Sequence, residues 1–144
     1  MNAGLTLHPE KTRIVNATEP GGFDFLGYHF EEGKKWPRRK SLQKLKDAIR
    51  AKTKRTNGNS LMAIISNVNR TLMGWHEYFK HSHKTTFPRL DGWIRMRLRS
   101  VLRKRDHGQG RGGGRDHLRW PNAYFAKHGL FSLVTAHTLA CQSS

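Results

Sequence analysis

A long amphipathic stretch from Asn59 to Phe79 constrains the fold of this chain more than any other feature. On a period of 3.6 residues its large apolar side chains fall on one side and its polar side chains on the other. The inward-facing residues are Leu61, Ile64, Ile65, Val68, Leu72, Trp75 and Phe79. Asn57-Gly58 predicts a turn before the stretch, and Asn59 or Ser60 predicts a cap. The pattern therefore predicts a buried helix of about five turns.

Two further helices are predicted around this one. Ser41 is the predicted cap of the first, and Thr86 is the predicted cap of the third, with Pro88 in its first turn. The apolar stripe of the first helix consists of Leu42, Leu45 and Ile49. The inward residues of the third helix, which we expect to end near Lys104, are Phe87, Leu90, Ile94, Leu98 and Val101. Three helices with short connections predict a small bundle.

The segment before the helices predicts extended structure. Its sequence FDFLGYHF, residues 23–30, is interpreted as one strand with large apolar side chains on both faces. Gly33 predicts a hairpin turn after it, and Pro37 ends the returning strand. The predicted fold class is therefore mainly α with a small β-hairpin.

The charge balance points to a polyanionic partner. The chain has 27 Lys and Arg against 10 Asp and Glu, a net charge of +17 that exceeds what solubility requires. Its single cysteine, Cys141, excludes an internal disulfide framework and fits a reducing compartment. The sequence contains no apolar run of roughly 18 residues and no apolar signal-peptide core. We therefore expect a cytoplasmic protein without a membrane partner.

Cations cluster at three places. The third helix presents, opposite its apolar side, a face that combines guanidinium groups with an indole, formed by Arg89, Trp93, Met96, Arg99 and Arg103. Guanidinium groups fork onto phosphates, and Trp can stack on an unpaired base; the alternative is a solvated face whose Trp93 packs on a neighbouring segment. The other two clusters are Lys34, Lys35, Arg38, Arg39 and Lys40, and then Lys52, Lys54 and Arg55. For these two clusters, phosphate contacts and a merely solvated run of charge are equal alternatives.

Signals for catalysis or metal binding are weak. His81 and His83 lack a third ligand at typical spacing and are interpreted as exposed loop histidines. The aspartates Asp91, Asp106 and Asp116 are isolated, so no carboxylate pair is suited to acid-base or two-metal chemistry. The residue pattern alone therefore predicts a basic, helical, nucleic-acid-binding module.

Several separate motifs resemble one family. The runs GLTLHPEKTRIV and GFDFLGYHF resemble the end of the palm of bacterial group II intron-encoded reverse transcriptases. Their maturase-specific thumb, domain X, is similar to NVNRTLMGWHEYF and LDGWIRMRLR, and their tail is similar to HLRWPNAYFAKHGLFSL. The resemblance implies a residual palm with a hairpin over residues 1–40 and a thumb-like three-helix bundle over 41–106. A Gly-rich linker over 107–116 and an aromatic appendage over 117–144 would follow.

The resemblance also implies residue roles. Lys11 matches a palm lysine that assists the departing pyrophosphate, with an ordinary surface lysine as the alternative. The residues that match the primer-gripping hairpin are Phe25, Leu26, Gly27 and Tyr28. Core packing is the alternative for its two aromatic residues, and is favoured for Phe25. In the Gly-Trp-x-x-Tyr-Phe block, Trp75 and Phe79 are expected in the core, and Tyr78 is expected to contact RNA.

The chain also departs from the family. The fingers and the Tyr-Ala-Asp-Asp loop would precede residue 1, so the aspartates that bind Mg²⁺ for polymerisation are missing and no cofactor is expected in this chain. A single cysteine cannot build a zinc endonuclease module. We therefore expect the C-terminal fragment of a polymerase family, or a truncated gene product, that is not itself an enzyme.

The resemblance implies an RNA-binding maturase-type module that assists folding and splicing of a group II intron RNA. DNA and a separate chain with the missing palm and fingers remain open as further partners. Two alternatives also remain, namely a nonspecific basic nucleic-acid-binding protein and a nonfunctional remnant of a truncated mobile element.

Overall fold

The computed structural model describes residues 21–106 and 114–143, which form one small sheet and six helices. The antiparallel strands are β1 (Phe23–Phe25), β2 (Tyr28–Glu31) and β3 (Lys34–Pro37). The long helices are α1 (Arg39–Lys52), α2 (Leu61–Phe79) and α3 (Thr86–Arg105). The remaining helices are α4 (Gly114–Arg119), α5 (Asn122–Lys127) and α6 (Leu133–Ser143). The predicted class, mainly α with a small β-hairpin, is confirmed.

The interpretation of residues 23–30 as one strand is wrong. Leu26 and Gly27 have φ angles of 52° and 86° and form a tight turn, so that Phe25 pairs with Tyr28. Positive φ at both central residues gives a two-residue turn the twist that antiparallel strands require. The predicted turn at Gly33 is confirmed, and it joins β2 to β3.

The start of α1 is fastened to the β1–β2 turn. The predicted cap, Ser41, lies inside the first turn of the helix. The residue at the cap position, directly before the helix, is Arg38. The carbonyl oxygen of Gly27 accepts two hydrogen bonds, one from the Ser41 hydroxyl (2.9 Å) and one from the Arg38 N–H (2.8 Å). The hydroxyl that the sequence indicated as a helix cap therefore holds the hairpin against α1.

The predictions for α2 and α3 are close to the structure. Ser60 caps α2, since its Oγ accepts the Ala63 N–H over 3.2 Å. Thr86 is the first residue of α3 rather than its cap, and α3 ends at Arg105, one residue beyond the expected end. These two helices could be predicted from the sequence because residues on the buried side of a helix recur about every 3.6 positions.

One hydrophobic core joins the long helices to the C-terminal segment, residues 114–143. Its members from the long helices include Ile49, Val68, Leu72, Ile94 and Leu98. Its members from the C-terminal segment are Trp120, Phe125 and Leu133. The segment expected to dock as an appendage therefore completes the core of the bundle, and residues 114–116 of the expected linker lie in α4.

Polar anchors hold the C-terminal segment on α2 and α3. The amide of Asn69 donates to the Gly129 carbonyl and accepts the Phe131 N–H, both over 2.8 Å. The buried carboxylate of Asp91 accepts the N–H groups of Leu133 (2.9 Å) and Val134 (3.1 Å) and also the Ser132 hydroxyl (3.0 Å). A negative charge at a helix N-terminus is stabilising, so Asp91 of α3 acts as a cap for α6.

Among the helices of residues 21–106 and 114–143, none combines the length and the apolar character needed to span a membrane.

His29 joins the strands electrostatically. Its Nε2 lies 3.0 Å from Glu31 Oε1 and its Nδ1 lies 2.7 Å from Asp24 Oδ1. Hydrogen bonding to Glu31 and then to Asp24 raises the pKa of His29 above that of an ordinary histidine.

Replacement of Asp91 by Ala should lower the free energy of unfolding by about 2–3 kcal/mol, because two N–H groups and one hydroxyl lose a charged acceptor. Urea denaturation of the full chain measures this loss. The control is Asp47→Ala at an exposed carboxylate, which should change stability by about 0.5 kcal/mol or less. Equal losses in the two variants would contradict the capping role.

The raised pKa of His29 predicts a hairpin that is more stable at low pH within its titration range. The stabilisation is complete below the unfolded-state pKa, near 6.5, and is lost as pH rises through the higher folded-state value. NMR titration of the imidazole should show the raised pKa, and Glu31→Gln should move it back towards the ordinary value. An unchanged pKa in Glu31→Gln would show that Glu31 is not its main cause.

Candidate nucleic-acid interface

A stripe of cations runs along one side of α1. Arg39, Lys46 and Arg50 are spaced at i, i+7 and i+11, so helical geometry places them on the same side. Arg39 and Arg50 are exposed and Lys46 is half-buried. One carboxylate lies beside the stripe, since Asp47 Oδ1 accepts from Arg50 Nη1 over 3.1 Å.

Trp93 of α3 lies beside the same stripe. Its half-buried ring packs against the hydrophobic core, with Lys46 Nζ at 5.4 Å and Arg50 Cζ at 5.2 Å from the ring centroid. Such distances permit cation–π attraction, so the indole positions two cations of α1 rather than standing open on all sides for a base. Arg89, one helical turn before Trp93, is exposed. We call the surface formed by Arg39, Lys46, Arg50, Arg89 and Trp93 the α1–α3 face.

Arg97 closes the far end of this face. Its Nη2 donates to the carbonyl oxygens of Thr53 (3.1 Å) and Arg50 (3.4 Å), and its Nε donates to Thr53 Oγ1 (3.1 Å). A guanidinium at the carbonyl end of α1 adds donors to its terminal carbonyl groups and is favoured by the helix dipole. Burial, followed by the nearby charge of Arg50, lowers the pKa of Arg97.

The loop after α1 adds cations at the same end. Lys54 and Arg55 are exposed, as predicted for this cluster. Lys52 departs from the prediction of a loop residue: it is the last residue of α1, and its Nζ donates to Thr71 Oγ1 (2.6 Å) and to the Asn67 carbonyl (3.2 Å) of α2. This ammonium group joins two helices.

The prediction that Arg99 lies on an open face is wrong. Its side chain is only 2% exposed, because the C-terminal segment covers this part of α3. Its Nε donates to the Trp120 carbonyl and its Nη2 to Asn122 Oδ1, both over 2.8 Å. Burial, followed by the nearby Arg95, lowers the pKa of Arg99, whereas Asp116 opposes the shift.

Arg103 is also engaged by the C-terminal segment. Its Nη1 lies 3.1 Å from Oδ2 of the buried Asp116 in α4. Arg99 and Arg103, four residues apart, lie on one side of α3. Their exposure was mispredicted because residues distant in sequence cover that side.

The cluster between the hairpin and α1 remains largely at the surface. Lys34, Arg39 and Lys40 are exposed, whereas Arg38 is half-buried. Lys35 Nζ lies 4.4 Å from the ring centroid of Tyr28, so its charge is held against the hairpin.

The exposed turn between β1 and β2 lines a groove. Leu26 is 68% exposed, and with Lys44, Trp75 and Tyr78 it borders about 480 Å³ between the turn, α1 and α2. The Tyr78 hydroxyl donates to the Leu26 carbonyl over 2.5 Å. The residues matched to a primer grip, Phe25, Leu26, Gly27 and Tyr28, all lie at this turn.

Core packing was favoured for Phe25, but of the two turn aromatics it is Tyr28 that is buried. Tyr28 is buried, its ring packs at a tilt against Phe79 (5.0 Å between ring centroids), and its hydroxyl donates to the Tyr78 carbonyl over 2.6 Å. Phe25 is exposed, because it stands at the end of a strand without a neighbouring layer.

The described residues do not bring together a metal site. Within residues 21–106 and 114–143, no three His, Cys, Asp or Glu side chains gather at ligand distances. His81 is exposed, whereas His83 is half-buried with its ring 5.5 Å from that of Trp36. Lys11, the matched palm lysine, lies outside the described residues.

Sequence reasoning missed two of the three α1 cations of this face, Lys46 and Arg50. Lys46 and Arg50 are separated by four residues on the solvent side of an amphipathic helix, and this spacing could have indicated a shared stripe. Nothing in the local pattern of α2 indicated that Asn69 forms hydrogen bonds with the loop between α5 and α6.

The chain matches the family model described as "Group II intron, maturase-specific domain" over residues 42–120, more than half of its length. The matched range includes α2, α3 and most of α1, and it ends at Trp120, whose carbonyl Arg99 binds. No curated protein matches the chain. The family match confirms the resemblance drawn from the sequence motifs.

Replacement of Arg99 by Met should lower the free energy of unfolding by about 2–4 kcal/mol, because the Trp120 carbonyl and the Asn122 side chain lose a charged donor. Urea denaturation followed by Trp fluorescence measures this change. Arg89→Met removes an exposed guanidinium from the same helix and should cost about 0.5 kcal/mol or less. A full-stability Arg99→Met variant would contradict the anchoring role.

Proposed function

The chain belongs to the family of the group II intron maturase-specific domain, and we propose on this basis that it is an RNA-binding module that helps a group II intron RNA to fold and splice. The observation that carries the proposal is the α1–α3 face, where cations from two abutting helices form one continuous surface. The face also holds guanidinium groups, which fork onto phosphate oxygens.

The placement of carboxylates supports this surface as the binding site. In the described part of the chain, Asp91 and Asp116 are buried at the contact between α3 and the C-terminal segment, and Glu31 binds His29. Asp106 pairs with Arg119 of α4. Asp47 is the acidic residue that pairs within the face. Asp91, Asp116 and Asp106 therefore stabilise contacts within the fold, and the cations of the face keep a net attraction for polyanions.

The helix ends add to the attraction. Neither α1 nor α3 has an acidic residue in its first turn, and neither has a side-chain hydrogen bond at its cap. Basic residues stand there instead, Arg39 and Lys40 in α1 and Arg89 in α3. A positive helix end beside cations is electrostatically unfavourable in the free protein. A bound phosphate removes this penalty.

Binding alone is sufficient for the proposed activity. A rigid basic face that binds the active fold of an RNA more tightly than other folds shifts the RNA population towards the active fold. In this proposal the module assists the intron without polymerase catalysis. Contacts run from the cluster of residues 34–40 through the α1–α3 face to Lys54 and Arg55.

A second function is nonspecific nucleic-acid binding, which the net charge of +17 favours. Competition separates the two functions. Unrelated RNA of equal length should compete poorly against a cognate group II intron RNA for a maturase module, and equally well for a nonspecific binder.

The double variant Arg39→Ala, Arg50→Ala should weaken intron RNA binding and reduce the salt dependence of binding. Two lost phosphate contacts should lower the slope of log K against log salt by about 1.4–1.8. Filter binding or fluorescence anisotropy at several salt concentrations measures the slope.

The matched control is Arg70→Ala, Lys127→Ala, which removes the same charge from exposed positions on α2 and α5. It should leave the slope within about 0.5 of the parent value. If both double variants lose affinity equally, binding follows net charge and the α1–α3 face is not the site.

A further inference from the structure

Asp47 is the one carboxylate of α1, a helix that carries six Lys and Arg residues. On the helical period it lies between two rows of cations, which are Arg39, Lys46 and Arg50 on one side and Lys40 and Lys44 on the other. Its side chain is 63% exposed. A negative charge at this position lowers the attraction of the surface for every phosphate nearby. Asp47 therefore opposes the binding of a bare polyanion.

Two neighbouring side chains hold the Asp47 carboxylate through the same oxygen. Gln43 Nε2 donates to Oδ1 over 2.8 Å, and Arg50 Nη1 donates to Oδ1 over 3.1 Å. Oδ2 has no hydrogen-bond partner in residues 21–106 or 114–143. An ionised carboxylate accepts hydrogen bonds at both oxygens and donates none. The helix thus orients the carboxylate and leaves one of its oxygens to accept from a ligand.

Stabilisation of α1 is a weak explanation for a carboxylate at this position. Exposed pairs between residues three or four apart contribute little to the stability of a helix. Glu77 of α2 forms a pair of this kind, since its Oε1 lies 3.6 Å from Lys80 Nζ. Glu77 therefore offers a comparable exposed carboxylate on a helix that does not belong to the α1–α3 face.

The Asp47 carboxylate also lines a groove of about 520 Å³ beside α1. The lining residues are Arg38, Lys40, Ser41, Gln43, Lys44 and Asp47. Three of them are cations, which attract phosphates, and Asp47 adds an acceptor beside them. A ribonucleotide has the complementary pattern, because its anionic phosphate stands near the N–H groups of a base and a 2′-hydroxyl.

We propose that Asp47 is a specificity residue of the RNA-binding surface, whose Oδ2 accepts a hydrogen bond from an N–H or O–H group of the bound RNA. This proposal rests on the RNA-binding function proposed above. Phosphate contacts position a nucleic acid, whereas contacts with bases and 2′-hydroxyls distinguish one ligand from another. Asp47 repels any polyanion, and only a ligand whose donor reaches Oδ2 offsets this repulsion.

The test compares two polyanions that bind the full chain, a short single-stranded RNA of mixed sequence and inorganic polyphosphate of matched charge. Polyphosphate has neither base N–H groups nor 2′-hydroxyls. Asp47→Ala should bind polyphosphate more tightly than the parent, because a repulsive charge is lost. RNA also loses a hydrogen bond, so the ratio of RNA affinity to polyphosphate affinity should fall about tenfold. Competition measured by fluorescence anisotropy gives both affinities.

Glu77→Ala is the matched control, because it also removes an exposed carboxylate that pairs with a cation three residues away in a helix. It should leave the ratio of the two affinities within about twofold of the parent value, since charges outside the binding surface are screened. Thermal unfolding of both variants checks that they are folded.

A DNA of the same sequence identifies the donor. If Asp47→Ala lowers the ratio for RNA and leaves it unchanged for DNA, the donor is a 2′-hydroxyl. If the ratio falls equally for RNA and DNA, the donor is an N–H group of a base.

Two failures have different meanings. If Asp47→Ala raises the affinities for RNA and polyphosphate by the same factor, Asp47 acts through its charge alone. Its proposed role in specificity is then wrong, and the proposed RNA-binding function stands. If the parent binds no RNA, the proposed function and the role of Asp47 are both wrong.

Discussion

The packing of the C-terminal segment, residues 114–143, on α2 and α3 decides which surface of the bundle remains open. Trp120, Phe125 and Leu133 enter the common core, and Asp91 and Arg99 bind the backbone of the segment. Apolar burial supplies most of the attraction, whereas the buried hydrogen bonds fix the position of the segment. One half of the polar side of α3 is consequently covered, and the half that adjoins α1 becomes the basic face.

Because carboxylates are scarce, the covered and the open halves of the polar side of α3 differ in charge balance. The chain has 10 acidic residues for 27 Lys and Arg. Two of the acidic residues, Asp91 and Asp116, are buried at the contact with the C-terminal segment. Arg99 and Arg103 near this contact are hydrogen-bonded or paired, and the cations of α1 and the start of α3 are mostly unbalanced. The same charge pattern therefore stabilises the contact on one side of α3 and leaves unbalanced positive charge on the other side.

The hairpin contacts α1 and α2, and it also positions β3. Its first turn is held against α1 by the Gly27 carbonyl and against α2 by the hydrogen bond from Tyr78 to Leu26. These contacts place β3 beside the beginning of α3, where Trp36 reaches Thr85. The position of the hairpin thus depends on its contacts with α1, α2 and the residue before α3.

The sequence by itself determined the three long helices and their buried sides, because helical periodicity is a local property that side chains report every 3.6 residues. It also indicated the family and the basic character of the surface. It did not determine that residues 23–30 form two strands, because side chains alternate between two faces in the same way before and after a tight turn. The exposure of Arg99 and the pairing of Trp93 with Lys46 and Arg50 were decided only by the tertiary structure. Burial and charge pairing depend on which distant segments pack together, and local spacing contains no record of that choice.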